Sequence, residues 1–260
     1  MTQTTLLDEW TTWHAAREDD LRQPYGWLSL VAYQWLPAEP VRFPGLPGEW
    51  SASDAAARVT ASAADALVVD GTRLDGTAEL SVAESASHLW AEFGAAKVEV
   101  GLRGGRYALR VRDPQAPVRA AFVGVPAFDF DERWIVTGRF VPAAERHTVV
   151  VGSARTDLSH TQRVAGTVVF TLDGAAHMLT AIDGGDGALV LPFHDRTNGR
   201  ETWTWRVLHA GPAGPDGAVT LDFNRAVNPP SSFTAYGTCP RPPAGSTLAV
   251  AVRAGERAPR

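Results

Sequence analysis

The chain has little cysteine and lysine and no long apolar run. Of its 260 residues, Cys239 is the single cysteine, which excludes an intramolecular disulfide and gives no sign of an oxidising compartment. A chain of this length can bury enough surface to fold without disulfides or a metal. No apolar segment approaches the ~20 residues that a membrane-spanning helix needs. The acidic N-terminus also lacks the basic and apolar regions of a leader peptide. We therefore predict a soluble, cytoplasmic protein with no membrane partner.

The charge balance argues against a nucleic-acid partner. The chain has 24 Lys+Arg against 29 Asp+Glu, a net charge of −5, and Lys97 is its single lysine. A surface that follows a phosphate backbone needs a clustered excess of positive charge. We therefore expect no binding of nucleic acid.

The spacing of apolar residues at the N-terminus predicts a helix. Leu6, Trp10, Trp13 and Leu21 recur at intervals that place them on one side of a helix. We expect one amphipathic helix within residues 1–25, packed against whatever the remainder of the chain forms.

The remainder of the chain is predicted to form strands. The segments KVEVGLR and RYALRVR alternate with period two and are joined by Gly104-Gly105, a two-residue hairpin signal. Asp-Gly pairs at 70–71 and 173–174 indicate further tight turns. Short strands with Gly-rich turns are typical of β-barrels and sandwiches. We predict a mainly β fold: a single antiparallel β-barrel or sandwich-like domain over residues 1–260, with a β-rich body at 26–257.

Two segments concentrate polar and conformationally rigid residues. One is FHDRTNGRETWTWRVL at 193–208, and the other is LDFNRAVNPPSSFTAYGTCPRPP at 221–243. Each begins where an apolar strand is predicted to end, and a rigid scaffold commonly presents functional loops at such points.

These segments, with WHAAREDDL and RYALRVRD, resemble the bacterial and archaeal family called domain of unknown function 1684. The resemblance runs from about Trp13 to Glu256 and implies a shared fold, without an established reaction. Members commonly have a cysteine where this chain has Ser231, so a two-cysteine metal or redox role is not available to it. The residues that match the family's polar turn and C-terminal signature are Asp195, Thr197, Gly199, Thr202, Asp222, Phe223, Asn224, Arg225, Asn228, Pro229, Pro230, Cys239 and Pro240.

We predict that the segments 193–202 and 222–240 line one small polar pocket. Arg225 would supply positive charge suited to an anion, and Asp195 would orient it or act as a base. An equally weighted alternative is that Arg225 forms a structural ion pair with Asp195 or Asp222. The other predicted ligand-binding residues are Arg110, Thr197, Asn198, Asn224, Asn228, Tyr236 and Cys239.

The sequence leaves three functions open. The first is binding of a small polar or anionic metabolite. The second is a hydrolase-type reaction in which Asp195 activates water and Arg225 stabilises developing negative charge. The third is a structural role in which the polar residues pair internally and the surface contacts a protein partner. The sequence does not predict the oligomeric state.

No cofactor or metal is predicted. The seven histidines show no metal-ligand spacing. Cys239 could act as a nucleophile paired with a histidine, but a lone cysteine is more often a small buried apolar residue.

Overall fold

The computed structural model describes residues 3–259, with side chains from residue 5. The chain forms two compact units. One joins the N-terminal segment up to Asp19 to the chain from Val123 onward, and the other is Asp20–Phe122. Both consist mainly of antiparallel strands, which confirms the prediction of a mainly β fold. A single domain over 1–260 stays a prediction. Within the described chain, no helix has both the length and the apolar character needed to cross a membrane.

Helix α1 spans Gln3–Leu21 and confirms the predicted N-terminal helix. Its partly buried side chains recur at helical spacing and include Leu6, Trp10, Trp13 and Arg17. The covered side of α1 is therefore not purely apolar, because a charged residue lies among the apolar ones.

The unit Asp20–Phe122 contains two antiparallel sheets and the short helix α2 (Pro117–Ala120). Its strands are β1 (Leu30–Trp35), β2 (Glu49–Ala52), β3 (Ala57–Ala61), β4 (Val68–Val69), β5 (Thr72–Arg73), β6 (Gly76–Leu80), β7 (Ser87–Phe93), β8 (Ala96–Arg103) and β9 (Arg106–Arg112). The larger sheet has the order β1-β9-β8-β7-β4-β5 and the smaller one β2-β3-β6. Its core includes Trp50 of β2 and Trp90 of β7, which pack edge to face with ring centroids 6.0 Å apart.

The predicted tight turns of this unit are present. Gly104 and Gly105 join β8 to β9 with φ values of 58° and 72°. Asp70 and Gly71 join β4 to β5 with φ values of 46° and 79°. Two consecutive positive φ values match the right-handed twist of antiparallel strands, which explains why Gly-Gly and Asp-Gly stand there.

The other unit has one six-stranded antiparallel sheet. Its strands are β10 (Ile135–Gly152), β11 (Ser159–Leu172), β12 (Ala175–Asp183), β13 (Leu189–Phe193), β14 (Arg206–Ala210) and β15 (Ala218–Asp222). They are ordered β14-β13-β12-β11-β10-β15. One face of this sheet packs against an apolar cluster that includes Phe170, Phe193 and Phe223, together with Leu248 from the C-terminal segment.

The sheet of this unit is a half-barrel, so of the two predicted alternatives, barrel or sandwich-like, the barrel is not a closed one. Its end strands, β14 and β15, do not form a ladder with each other. The chain leaves β15 through a short 3-10 turn at Phe223–Arg225, and Val227 then pairs with Val207 of β14 in an isolated bridge. After β15 the chain therefore meets β14 in an isolated bridge and not in a ladder, and the sheet stays open. The sandwich-like alternative stays a prediction.

Candidate functional site

Asp195 lies in a closed polar network in the connection between β13 and β14. Its Oδ1 accepts hydrogen bonds from the amide and hydroxyl of Thr197 at 2.6 and 2.5 Å. Its Oδ2 accepts one from Arg206 Nη2 at 2.7 Å. The side chains of Asp195 and Arg206 are both fully buried. The carboxylate is thus occupied by its own protein, and no observation favours the role of a water-activating base.

Asn198 belongs to the same network. Its Oδ1 accepts from the Asp195 amide at 2.7 Å, and its Nδ2 donates to the Thr202 hydroxyl and to the Trp203 carbonyl at 2.9 and 2.8 Å. A side chain that bonds to both ends of a short connection fixes its conformation. The predicted ligand residues Thr197 and Asn198 therefore contact the protein.

Arg206 is a residue of this network that the sequence prediction missed. Its guanidinium also donates to the carbonyl groups of Val252, Ala254 and Glu256, and so ties β14 to the C-terminal segment. Burial lowers the pKa of Arg206, and the charge of Asp195 opposes that change. An arginine at the start of a strand with the buried apolar residues Leu208 and Ala210 was the available signal, because a buried arginine needs a partner.

Arg225 does not meet Asp195. Its Nε lies 3.2 Å from Asp222 Oδ2, and its guanidinium stands 5.6 Å from the centre of the Trp13 ring. Burial raises the pKa of Asp222, while Asn224 and Arg225 oppose the increase. The contacts agree with the structural alternative, an ion pair with Asp222, and add the α1 helix as a neighbour of Arg225.

The two asparagines of the signature also contact neighbouring chain segments. The Asn224 carbonyl accepts from Trp10 Nε1 at 2.8 Å, and the Asn224 amide group donates to Asp131 O at 3.1 Å. The Asn228 carbonyl accepts from Arg17 Nη2 at 3.2 Å.

Asn228 further joins the C-terminal segment. Its backbone amide donates to Glu256 Oε2 at 2.6 Å, and its Nδ2 donates to Arg257 O at 2.7 Å. Glu256 is fully buried and also accepts from Arg17 Nε at 3.0 Å. The signature around 222–228 thus fastens helix α1 and the C-terminal segment to the half-barrel.

The remaining predicted residues are in three places. Arg110 belongs to the unit Asp20–Phe122, where it is buried beside Glu99. The Tyr236 amide donates to the Thr234 hydroxyl at 3.2 Å. Cys239 Sγ accepts from the Ser231 amide at 3.3 Å.

A cavity of about 270 Å³ lies where the two polar segments approach each other. It is lined by Ala154, Arg155, Trp203, Thr204, Trp205, Ser231, Thr234, Ala235, Gly237 and Arg241. The eight predicted site residues of this unit do not line it. The lining instead comes from immediately neighbouring positions, 203–205 and 231–237, and from two arginines at the end of β10 and in the C-terminal segment.

Three buried polar groups of the lining residues lack a hydrogen-bond partner among residues 3–259. They are the indole N–H groups of Trp203 and Trp205 and the hydroxyl of Ser231. Leaving a buried donor unsatisfied costs about 1–3 kcal/mol, so such groups are uncommon unless a ligand or water completes them. All three belong to residues that line this one cavity, which makes it the candidate binding site in this unit.

Two arginines contribute to the same lining. Arg241 donates from Nε to Ser153 O at 2.8 Å, and its guanidinium lies 5.9 Å from the Trp205 ring centre. Arg155 pairs with Asp157 at 3.0 and 2.8 Å. Asp157 neutralises Arg155, so Arg241 is the cation that contributes positive charge beside the cavity.

A larger concavity of about 840 Å³ lies along β10 and β11 and is less suited to specific recognition. Much of its lining is apolar and includes Val141, Val150 and Val164. Of the residues that line it, none has a buried polar atom without a partner in the described chain. Nothing there demands a polar ligand, so we favour the smaller cavity as the candidate site.

The described residues contain no group of three His, Cys, Asp or Glu side chains arranged to hold a metal ion.

Comparisons with known proteins agree with the resemblance found in the sequence. The model of the family described as protein of unknown function (DUF1684) matches residues 120–257, which is just over half of the chain. A solution NMR structure of an uncharacterised protein from Haloarcula marismortui is 30% identical in sequence to this chain and superposes with a TM-score of 0.45. The match covers 54% of this chain and 78% of the chain in the NMR structure. No curated protein matches the sequence.

Proposed function

The chain belongs to the family of unknown function DUF1684, and we propose that it binds a small polar or anionic molecule in the cavity lined by 203–205 and 231–237. The observation that carries the proposal is the set of buried donors without partners at Trp203, Trp205 and Ser231. Carboxylate, phosphate and carbonyl oxygens accept hydrogen bonds and would complete such donors. They would also be near the positive charge of Arg241.

The dimensions of the cavity limit the ligand. A volume of about 270 Å³ lies just below the ~300–1,000 Å³ of sites that hold drug-sized molecules. The fitting class is therefore a metabolite of few heavy atoms. Trp203 and Trp205 could contact an apolar part of it, since indole rings combine a large apolar face with a single donor.

Ser231→Ala tests this proposal. Because the Ser231 hydroxyl has no partner in the described chain, its removal should leave the melting temperature of the protein without ligand unchanged or slightly raised. The same substitution should weaken binding by about tenfold, the effect of one lost hydrogen bond of about 1.4 kcal/mol. The measurement is thermal denaturation against a panel of small carboxylates and phosphate esters, because a bound ligand raises the melting temperature.

Ser246→Ala is the matched control. Ser246 is fully buried, and its hydroxyl accepts from the Thr180 amide at 3.3 Å. Its removal should destabilise the protein by about 1 kcal/mol and leave ligand binding as it is. The proposal fails if no compound of the panel gives a saturable increase in melting temperature, or if Ser231→Ala and Ser246→Ala reduce that increase equally.

A further inference from the structure

Strand β10 has an open edge in the second part of its length, on the side away from β11. On that side, residues 135–140 bond to β15 and to the turn before it. At the far end, the Gly152 carbonyl accepts from the Arg241 amide at 2.8 Å. Between these two contacts, residues 141–151 have no backbone hydrogen bond on this side to any residue that the structure describes.

The alternation of an antiparallel strand identifies the free backbone groups of this edge. Each residue directs its N–H and C=O to the same side, and successive residues alternate between the two sides. Gly152 faces away from β11, because its carbonyl bonds to Arg241. The register with β11 is regular from Gly152 back to His147, so Val150 and Thr148 also face the open side. Each of them therefore offers one donor and one acceptor to a further strand.

The C-terminal segment shows that this edge accepts an antiparallel strand. Pro240 forms an antiparallel bridge with Ser153 of the chain just beyond β10. Pairing stops after Arg241, where the next two residues are Pro242 and Pro243, which have no N–H to donate. The chain itself thus covers the edge only as far as Gly152.

The uncovered part of the edge lacks the features by which proteins prevent strand pairing. Such features include lysine, proline, a bulge and an inward-pointing charge. Residues 147–151 read HTVVV, and Val150 is 73% exposed. Pro142 and the bulge that follows it come before this segment. An exposed edge of this kind is a template for another strand.

A second copy of this chain fits the open edge. Around a two-fold axis at Val149, Thr148 of one copy lies opposite Val150 of the other, and the reverse. These are the residues whose backbone groups face outward, so each pair exchanges both of its N–H···O hydrogen bonds. His147 then lies opposite Val151, so no two charged side chains of 147–151 face each other.

The neighbouring registers fit less well. An axis at Val150 would bring Thr148 of one copy opposite Gly152 of the other, where the C-terminal segment already lies. An axis at Thr148 would bring Val150 opposite Arg146, which belongs to the bulge in β10. The axis at Val149 is the one that uses both outward-facing residues and stops before Gly152.

The chain supplies the strand that its own edge lacks, because a two-fold contact uses the same surface on both subunits. We propose that two copies associate through residues 147–151 of β10, so that one antiparallel sheet continues from one half-barrel into the other. The added strand would also cover part of the concavity of about 840 Å³, which Val149, Val150 and Val151 help to line. Residues 147–151 extend over only about 17 Å, so the interface is small and the dimer exchanges with monomer.

Sedimentation velocity of the full chain tests the association from about 1 μM to about 1 mM, the range in which small interfaces form. We expect the sedimentation coefficient to increase with concentration. Thr148→Pro removes an edge donor that makes no bond to β11, and should weaken the dimer by about 10–100-fold, since each copy loses one hydrogen bond. Val150→Lys protects the edge with a charge and should also weaken it.

Val123→Lys is the matched control, because Val123 is 86% exposed and lies outside the strands. It should leave the dissociation constant of the dimer unchanged. Circular dichroism of each variant establishes that it is folded.

A disulfide tests the register. Val149→Cys is made in a Cys239→Ser background, so that residue 149 carries the single thiol of the chain. An axis at Val149 brings the two copies of residue 149 to the ~4.5 Å Cα separation of a non-hydrogen-bonded pair, within the range of a disulfide. Mild oxidation should therefore give a cross-linked dimer on a non-reducing gel. Val150→Cys in the same background should cross-link much less, because the two copies of residue 150 would be offset along the strands.

Three results would overturn the inference. The first is a chain that sediments as a monomer over the whole concentration range. The second is a dimer that Thr148→Pro and Val150→Lys weaken no more than Val123→Lys does, which would mean that another surface holds the copies together. The third is a cross-link that forms at residue 150 as readily as at residue 149.

Discussion

Replacement of Arg206 by methionine should be among the most destabilising single changes in this protein. The Arg206 and Asp195 side chains are both fully buried and lie 2.7 Å apart. Methionine is unbranched and replaces the aliphatic stem of arginine but not its guanidinium, so the change removes the charge and hydrogen bonds while it keeps much of the packing. The Asp195 carboxylate would then remain buried without its cation.

The size of the effect follows from these contacts. Removing one partner of a buried ion pair costs about 3–5 kcal/mol, since the other charge stays desolvated. The Arg206 guanidinium also donates to the carbonyls of Val252, Ala254 and Glu256, which would lose that partner. Thr197 continues to donate to Asp195 and moderates the penalty. We expect a loss of about 4 kcal/mol, a large part of the ~5–15 kcal/mol stability of a typical domain.

Urea denaturation, followed by tryptophan fluorescence and far-UV circular dichroism, measures this loss. Arg253→Met is the matched control, because Arg253 pairs with Glu201 through side chains that are 62% and 32% exposed. Exposed pairs contribute about 0–1 kcal/mol. If Arg206→Met lowers the free energy of unfolding by no more than Arg253→Met does, the buried network is not what holds the connection between β13 and β14. Asp195→Asn keeps the Thr197 contacts. Its loss in the free energy of unfolding should lie between the losses of Arg206→Met and Arg253→Met.

Two further predictions concern backbone packing and pH. Gly166→Ala should destabilise the protein by about 3 kcal/mol or more, because a Cβ there would collide with the Val141 carbonyl. Gly174→Ala, where a Cβ meets nothing within 4 Å, should cost only the ~1–2 kcal/mol of left-handed backbone; similar urea midpoints for both variants would contradict this. The charges of Arg110 and Arg112 hold the pKa of Glu99 below its ordinary value of 4.5, against the opposing effect of burial. The ionised carboxylate therefore contributes stability that is fully present above pH 4.5 and is lost as the pH falls through the pKa of the folded state. The melting temperatures of the wild type and Glu99→Gln should therefore converge as the pH falls below the folded pKa of Glu99. A difference in melting temperature that stays constant across pH would contradict a lowered pKa of Glu99.

Local features of the fold could be predicted from the sequence. Strands β8 and β9 and their Gly104-Gly105 turn are visible because alternation and turn residues act within a few positions. Helix α1 is visible for the same reason. That the sheet stays open could not be predicted, since it depends on where the chain turns after β15. Val227, which lies outside the strands, is the residue that bridges to β14.

The sequence shows which polar residues are conspicuous but not which residues they contact. Asp195 and Arg225 stand out in the sequence, but spacing along a strand does not say which segment crosses beside it. Arg206 meets Asp195 because the C-terminal segment supplies three carbonyls around the same guanidinium. Trp13 meets Arg225 because helix α1 lies against the signature. These are contacts between residues distant in sequence, which a local pattern does not contain.

The contrast between the signature residues and the cavity has a physical explanation. A buried polar side chain that stabilises a fold must have its hydrogen bonds satisfied by the protein, as those of Asp195 and Asn224 are. A binding site must instead leave donors unsatisfied until its ligand arrives, at a cost to the stability of the empty protein. By this criterion, Asp195 and Asn224 hold the structure together. The ligand would be met by their less conspicuous neighbours, above all Ser231 and Trp203.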